Sequence, residues 1–263
     1  MSTVIFGRGN LGRAIAAGLV ARGEPAPVVL GHPAEGGHRP DDLAGAELAF
    51  EASRGEAVVA NLEVALAAGC RHFVVATTGW SEARDAVDDR LRARSASAVV
   101  APSFSLGVAL FLRLIETASE LFGRLDGYDP YVLEWHRRDK PDRPSGTALE
   151  IARRVLATHP RKTRVAGPAG PPASDELEVA SIRAGASPGL HLVGFDAPGE
   201  SIELRLTARD RSAYVTGALA AADWLRREPR SAGIHPFDEV VDDLVADRQA
   251  SSAKPRAVAG IAG

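Results

Sequence analysis

A single cysteine in 263 residues excludes an intramolecular disulfide and any cysteine-built metal cage. Cys70 on its own fits a reducing compartment. No apolar run reaches the roughly 18 residues that a membrane helix needs. The chain passes from Met1 straight into Val4-Ile5-Phe6-Gly7, with no basic stretch, apolar core or cleavage site of a leader. An excess of one charge is also lacking. The 31 Lys and Arg stand against 34 Asp and Glu, a net of −3, which gives no broad attraction to nucleic acid or anionic membranes. What is present is 45% hydrophobic and 25% charged residues, the balance of a globular chain with real cores. The length suits about two domains. These features lead us to expect a cytoplasmic protein with neither membrane nor nucleic-acid partners.

Over the first hundred residues, strand-like runs alternate with helical patterns. The strands are Thr3–Phe6, Pro27–Leu30, Glu47–Phe50, His72–Ala76 and Ala98–Ala101, and the first helix places Leu11, Ile15 and Leu19 on one stripe. This order predicts an α/β domain on a doubly wound parallel sheet. After Pro102 the grammar changes. A long apolar helix (Gly107–Phe122), a strand (Tyr131–Glu134) and a second helix (Thr147–Thr158) lead to a Pro/Gly-rich connection, Arg161–Ser174. Three strands then follow without helices between them: Glu178–Arg183, His191–Phe195 and Ser201–Thr207. Such a run predicts a second domain of α+β type on an antiparallel or mixed sheet. Ala213–Arg227 reads as helix, and Ala250–Gly263 as a loose tail.

Gly7-Arg8-Gly9-Asn10-Leu11-Gly12 follows the first strand and opens the first helix. In that setting G-x-G-x-x-G makes a tight turn, brings backbone close to a pyrophosphate and aims helix N–H groups at it. A dinucleotide cofactor is therefore expected. The acidic residue that holds the ribose of NAD about 20 positions on is missing. The second strand ends in Gly31-His32-Pro33, Glu35 is displaced, and Arg8, His32 and Arg39 can face a 2′-phosphate. Between NADPH and NADH, this favours NADPH.

The densest chemistry runs from Glu134 to Ala148, E-W-H-R-R-D-K-P-D-R-P-S-G-T-A. Ser145-Gly146-Thr147 precedes a helical pattern and can offer hydroxyls and free N–H groups to a carboxylate or phosphate. His136 and Lys140 lie on the loop feeding that site, beside Arg137, Arg138 and Arg143. A proton donor next to an anion cradle suits reduction of a carboxylated imine or enamine. The plainer reading is a solvated basic loop with an ordinary Ser cap.

These residues resemble the dihydrodipicolinate reductase family, also called 4-hydroxy-tetrahydrodipicolinate reductases, whose signature is E-x-H-H-x-x-K-x-D-x-P-S-G-T-A. Glu134, His136, Lys140, Asp142 and Pro144 to Ala148 stand in register with it. Ala76-Thr77-Thr78-Gly79-Trp80, Ala101-Pro102-Ser103-Phe104-Ser105-Leu106-Gly107, Ser181-Ile182-Arg183-Ala184-Gly185 and Pro188-Gly189-x-His191 resemble further family blocks in the same order. The resemblance implies a Rossmann dinucleotide-binding domain at 1–106 and 216–249. It implies a mixed-sheet substrate-binding and oligomerisation domain at 107–215 and a homotetramer, with the flexible tail at 250–263 read from its composition.

By the same resemblance, hydride passes from NADPH or NADH to the ring of a small cyclic dicarboxylate in lysine and diaminopimelate biosynthesis. Lys140 would be the proton donor, with His136 beside it. Ser145, Gly146 and Thr147 would hold a substrate carboxylate, while Thr77, Thr78, Gly79, Ala101, Ser103 and Phe104 would line the nicotinamide pocket. Several positions depart from the family pattern. Arg137 replaces the second histidine, where a guanidinium can clamp a carboxylate but cannot donate a proton. Trp135 replaces a small or aliphatic residue, Ser103 an asparagine and Ala52 an aromatic one, and Asn10 stands where a basic residue is usual. They keep open a same-fold reductase of another cyclic imine or imino acid. A non-catalytic dinucleotide-binding regulatory protein is the reading from a different class. Arg183 and Arg211 are expected to pair with acids within the sheet domain. The histidines lack H-x-H or H-E-x-x-H spacing, so no metal is expected.

Overall fold

The computed structural model describes residues 2–32, 37–43, 45–168 and 170–251. Two compact units form, one from the chain up to Leu106 together with the chain from Tyr214 onward, the other from Gly107–Ala213.

In the first unit β1 (Thr3–Phe6) is wholly buried and leads into α1 (Asn10–Ala21), which buries Gly12, Ile15 and Leu19. Then come β2 (Val28–Leu30), β3 (Leu48–Glu51), α2 (Val58–Ala67), β4 (His72–Val75), α3 (Arg84–Ala93) and β5 (Ser97–Val100). The turn between β1 and α1 is possible only with glycine. Gly7 adopts φ +115°, and a Cβ on Gly12 would lie 1.9 Å from the Gly7 carbonyl oxygen.

The second unit holds α4 (Leu106–Gly123), β6 (Asp129–His136), α5 (Gly146–Thr158), β7 (Arg164–Val165), β8 (Glu176–Arg183), β9 (Leu190–Ala197) and β10 (Glu200–Thr207). The chain then returns through α6 (Ser212–Arg227), β11 (Gly233–Pro236) and α7 (Phe237–Ser251).

The first sheet has the order β11-β5-β4-β3-β1-β2, and every pairing in it is parallel. Its order reverses at β1, so the crevice for a ligand lies outside the carboxyl ends of β1 and β3. The second sheet, β10-β9-β6-β8-β7, is mixed: β6 runs parallel to β8 and antiparallel to β9. The expected fold class is thus what the chain adopts. Phe111, Ile115, Val132, Ile151, Val155, Val193 and Phe195 form the second unit's core, where α4 and α5 pack on one sheet face.

Three local differences from the sequence reading have simple causes. β11, Gly-Ile-His-Pro, is too short to stand out by pattern and is defined by pairing with β5. The Pro/Gly-rich connection contains the two-residue β7, paired with the start of β8. α7 carries helix through Ala250 and Ser251 of the expected tail, and the rest of that tail lies outside the described residues. No helix among the described residues is long and apolar enough to cross a membrane.

Candidate active site

In the first unit the candidate residues gather at the carboxyl ends of the parallel strands. Gly9 caps α1 with no side-chain bond, which leaves the helix's first N–H groups and its positive end available to an anion. Arg8 lies over the end of β2, where Nε and Nη2 each donate to the Val29 carbonyl at 3.3 Å. His32 and Arg39 follow that strand, and Glu35 lies outside the described residues. Leu11, Ala76, Ser103, Phe104, Tyr214 and Ala218 line a small cleft. Thr78 and Gly79 are exposed at the end of β4.

Thr77 points inward. Its hydroxyl donates to Glu51 Oε1 at 3.1 Å, and Glu51 also accepts from the Ser53 amide at 2.8 Å, the Ser53 hydroxyl, and Asn61 Nδ2 at 2.8 Å. Burial outweighs these neutral donors and pushes the Glu51 carboxyl above the usual carboxylate range. The sequence reading gave Glu51 no part, because its partners come from three separate segments. Phe104 is buried edge-on against Phe237, with ring centroids 4.9 Å apart, so it supports the cleft wall from the core.

In the second unit the strand period places Val132, Glu134 and His136 on one face of β6 and Trp135 on the other. His136 was expected on a loop. It is instead the last residue of β6 and is buried, because β8 extends the ladder to the pair His136 with Arg183. Register sets Ser181 of β8 and His191 of β9 directly across from Glu134.

Glu134 is fully buried. Its Oε1 accepts from the Ser145 amide at 2.9 Å, the Ser181 hydroxyl at 2.7 Å and Arg183 Nη2 at 2.8 Å. Despite desolvation, which acts to raise it, these donors hold its carboxyl down at about 2. Arg183 therefore pairs with an acid inside the sheet. Arg211 is exposed.

Ser145 caps α5. Its Oγ accepts from the Ala148 amide at 3.2 Å and lies 3.3 Å from His191 Nε2. Gly146 is exposed and Thr147 half-buried beside it at the helix start. Lys140 Nζ donates to both carboxylate oxygens of Asp142, at 2.6 and 2.7 Å. Asp142 also accepts from the Gly146 amide, and Lys140 is the main cause of its lowered carboxyl. Arg137 is exposed and pairs with Asp139 at 2.8 Å. The turn after β8 steadies this loop, with the Arg138 amide donating to Gly185 and the Ala184 amide to the His136 carbonyl, both at 3.1 Å. Gly189, at φ +153°, lets the His136 ring lie against the backbone, since a Cβ there would be 2.9 Å from the ring.

The structure thus brings together His136 at the end of β6, Lys140 on the following loop, and Ser145, Gly146 and Thr147 at the start of α5. It adds Glu134, Ser181, Arg183 and His191, whose side chains meet only through strand register. Ligand-type atoms of Glu134, His136 and His191 lie within 4.8 Å of one another. Oε1 of the trio's carboxylate accepts from Arg183, whereas Oε2 and His136 Nε2 face each other at 3.2 Å.

Residues 107–240 match the family described as dihydrodipicolinate reductase, C-terminus. The chain belongs to the dihydrodipicolinate reductase family. The 4-hydroxy-tetrahydrodipicolinate reductase of Methanococcoides burtonii is 34% identical over 187 residues, covering 70% of this chain and 69% of that one. Its counterpart from Methanosarcina barkeri is 32% identical over 198 residues, 74% and 73% of the two chains. A dipicolinate-bound dihydrodipicolinate reductase from Paenisporosarcina sp. TG-14 has the same fold. Its TM-score is 0.70 at 18% identity, over 90% of this chain and 97% of that one.

Within this family member, His191 ties pH to stability. Burial first, then the neighbouring His136 charge, pushes its imidazole down to about 4. The folded state therefore favours the neutral ring, so stability is full above the unfolded value near 6.5. It is lost as pH falls from there through 4. Replacing His191 with Asn should flatten that loss, on the order of 3 kcal/mol, measured as the urea midpoint against pH. An unchanged slope would show that His191 does not carry the effect.

Proposed function

We propose that this chain is a cytoplasmic NAD(P)H-dependent reductase that converts 4-hydroxy-tetrahydrodipicolinate to tetrahydrodipicolinate in lysine and diaminopimelate biosynthesis. The carrying observation is the cradle at the start of α5, which already receives a carboxylate. Asp142 takes Lys140 Nζ and the Gly146 amide, the donors that a substrate carboxylate would meet. Gly146 and Thr147 hold that carboxylate by N–H groups at the positive end of the helix, and Ser145, whose own amide is taken by Glu134, caps the helix and sets their direction. Arg137 clamps the second carboxylate. Its present partner Asp139 is exposed, and a surface pair of this kind is worth too little to hold it back.

In this conversion the substrate hydroxyl leaves as water while one hydride and one proton enter. The nicotinamide nucleotide, when bound, supplies the hydride. The Gly7–Gly12 turn and the free start of α1 fit its pyrophosphate, and Thr77, Thr78, Gly79, Ala101, Ser103 and Phe104 form the nicotinamide side. Arg8, across the end of β2, is suited to a 2′-phosphate, which favours NADPH. Lys140 gives the proton, its Nζ held at the cradle by both carboxylate oxygens of Asp142. His136 stands beside it as a second polar group of the site.

The test supplies the substrate in place from pyruvate and aspartate semialdehyde through the preceding synthase. Substrate-dependent oxidation is expected, faster with NADPH than with NADH. Lys140→Ala should lower kcat by about 10²–10⁴-fold with nucleotide Kd unchanged. Near-normal turnover of that variant removes Lys140 from its role. Silence with both nucleotides, from protein that binds them, would point instead to a different cyclic imine, for which Arg137 and Trp135 are the departures that matter.

We also propose a homotetramer built on the second sheet. Trp135 and Ile182, cross-strand neighbours on its outer face, are 39% and 42% exposed, and a partner's sheet would cover them. Sedimentation equilibrium should give four times the 27.6 kDa chain mass. A monomer at micromolar concentration would refute the assembly.

A further inference from the structure

We propose that Glu134 is a positioning residue of this reduction, acting through His136. Its Oε2 is the acceptor that holds a proton on His136 Nε2, while its Oε1 fixes the start of α5. The inference rests on the reductase reading for its kinetic consequence, but not for its chemistry.

Glu134 divides its two oxygens sharply. Oε1 takes three donors, from α5's cap residue and from Ser181 and Arg183 of β8. Oε2 has no hydrogen-bond partner among the described residues, and neither does His136 Nε2, 3.2 Å away. Both atoms are buried, and two facing lone pairs without a proton are costly in such a place.

The other ring nitrogen is already committed. His136 bonds to the Pro188 carbonyl, and since Nε2 has no partner, that donor is Nδ1–H. The neutral ring therefore carries its hydrogen on Nδ1, and the nitrogen that titrates is the one facing Glu134. The charged form satisfies both contacts at once, Nδ1–H to Pro188 and Nε2–H to Glu134.

The groups facing His136 take opposite sides. Lys140 from the following loop, Arg183 from β8 and His191 from β9 resist a second positive charge, as does burial. Glu134 and the Pro188 carbonyl favour it. Without Glu134 nothing charged would favour the proton. Its presence sets how far up the pH scale His136 stays cationic beside the carboxylate cradle, and so where a dicarboxylate is best received.

Glu134→Gln separates this role from simple support. The Gln side-chain oxygen can still accept the Ser145 amide. Its NH2 would donate to His136 Nε2 and oppose protonation there. In nitrogen NMR of the parent protein, the neutral His136 ring should carry hydrogen on Nδ1 and titrate at Nε2. In the variant its midpoint should fall by about one unit or more, the size of a neighbouring charge's effect. The alkaline limb of kcat/KM should move to lower pH by the same amount. A neutral ring protonated at Nε2 in the parent overturns the proposal, and that reading needs no variant to fold. So does a variant whose His136 midpoint stays put, even with KM raised, because that pattern belongs to a purely structural carboxylate. If the substrate is not turned over at all, the reductase reading fails while the NMR result still decides the role of Glu134.

Discussion

A carboxylate with no contact to water must be met by donors or surrender its charge, and the second unit is arranged around one such group. Glu134, wholly buried in the middle of β6, draws donors from β8 and from the residue that caps α5. The β8 partners are fixed by backbone pairing before any side chain matters: Ser181 is its cross-strand neighbour, and Arg183 lies two residues further along the strand. The helix whose positive end receives a carboxylate is thereby tied to the strand that carries His136. Loss of the buried charge would leave the Arg183 guanidinium without its counter-charge and the Ser145 amide without its acceptor, so the cradle and the sheet are coupled.

The first unit contains the same residue type with the opposite outcome. Glu51 is as deeply buried as Glu134, and it too accepts several hydrogen bonds at the end of a central strand. Its donors are hydroxyls and amides, so burial wins and its carboxyl is raised. Glu134 has a guanidinium among its donors and is lowered. The Ser145 and Ser181 side chains contribute most to that lowering, and the Arg183 charge adds to them. Glu51 organises Ser53 and Thr77 at the strand ends where the nucleotide is proposed to bind, and Glu134 organises the cradle proposed for the substrate.

Local pattern was enough for the architecture. β-branched runs alternating with apolar stripes announced the parallel sheet, and three strands without helices announced the mixed one. The glycine turn was readable because its geometry admits so few residues: Gly12 has no room for a Cβ. Ser145 was readable as a cap from its position ahead of a helical pattern. What escaped was everything set by distant pairing. Trp135-His136-Arg137-Arg138 looks like a polar loop until β8 continues the strand through its first two residues. Thr77 stands in an exposed-looking motif, yet its hydroxyl turns inward to Glu51. His191 is 55 positions from His136 by number, yet their rings meet with centroids 5.1 Å apart, a contact no short-range spacing rule contains.

Everything proposed for the site turns on hydride passing from a nicotinamide to a cyclic dicarboxylate on this chain. Mass spectrometry of the product, formed with nucleotide deuterated at both positions of the nicotinamide C4, tests that transfer most directly. One deuterium in the ring of tetrahydrodipicolinate, carried there without dilution in ordinary water, is the predicted result. Product free of deuterium, or nucleotide left unoxidised by a folded protein that binds it, would rule that transfer out.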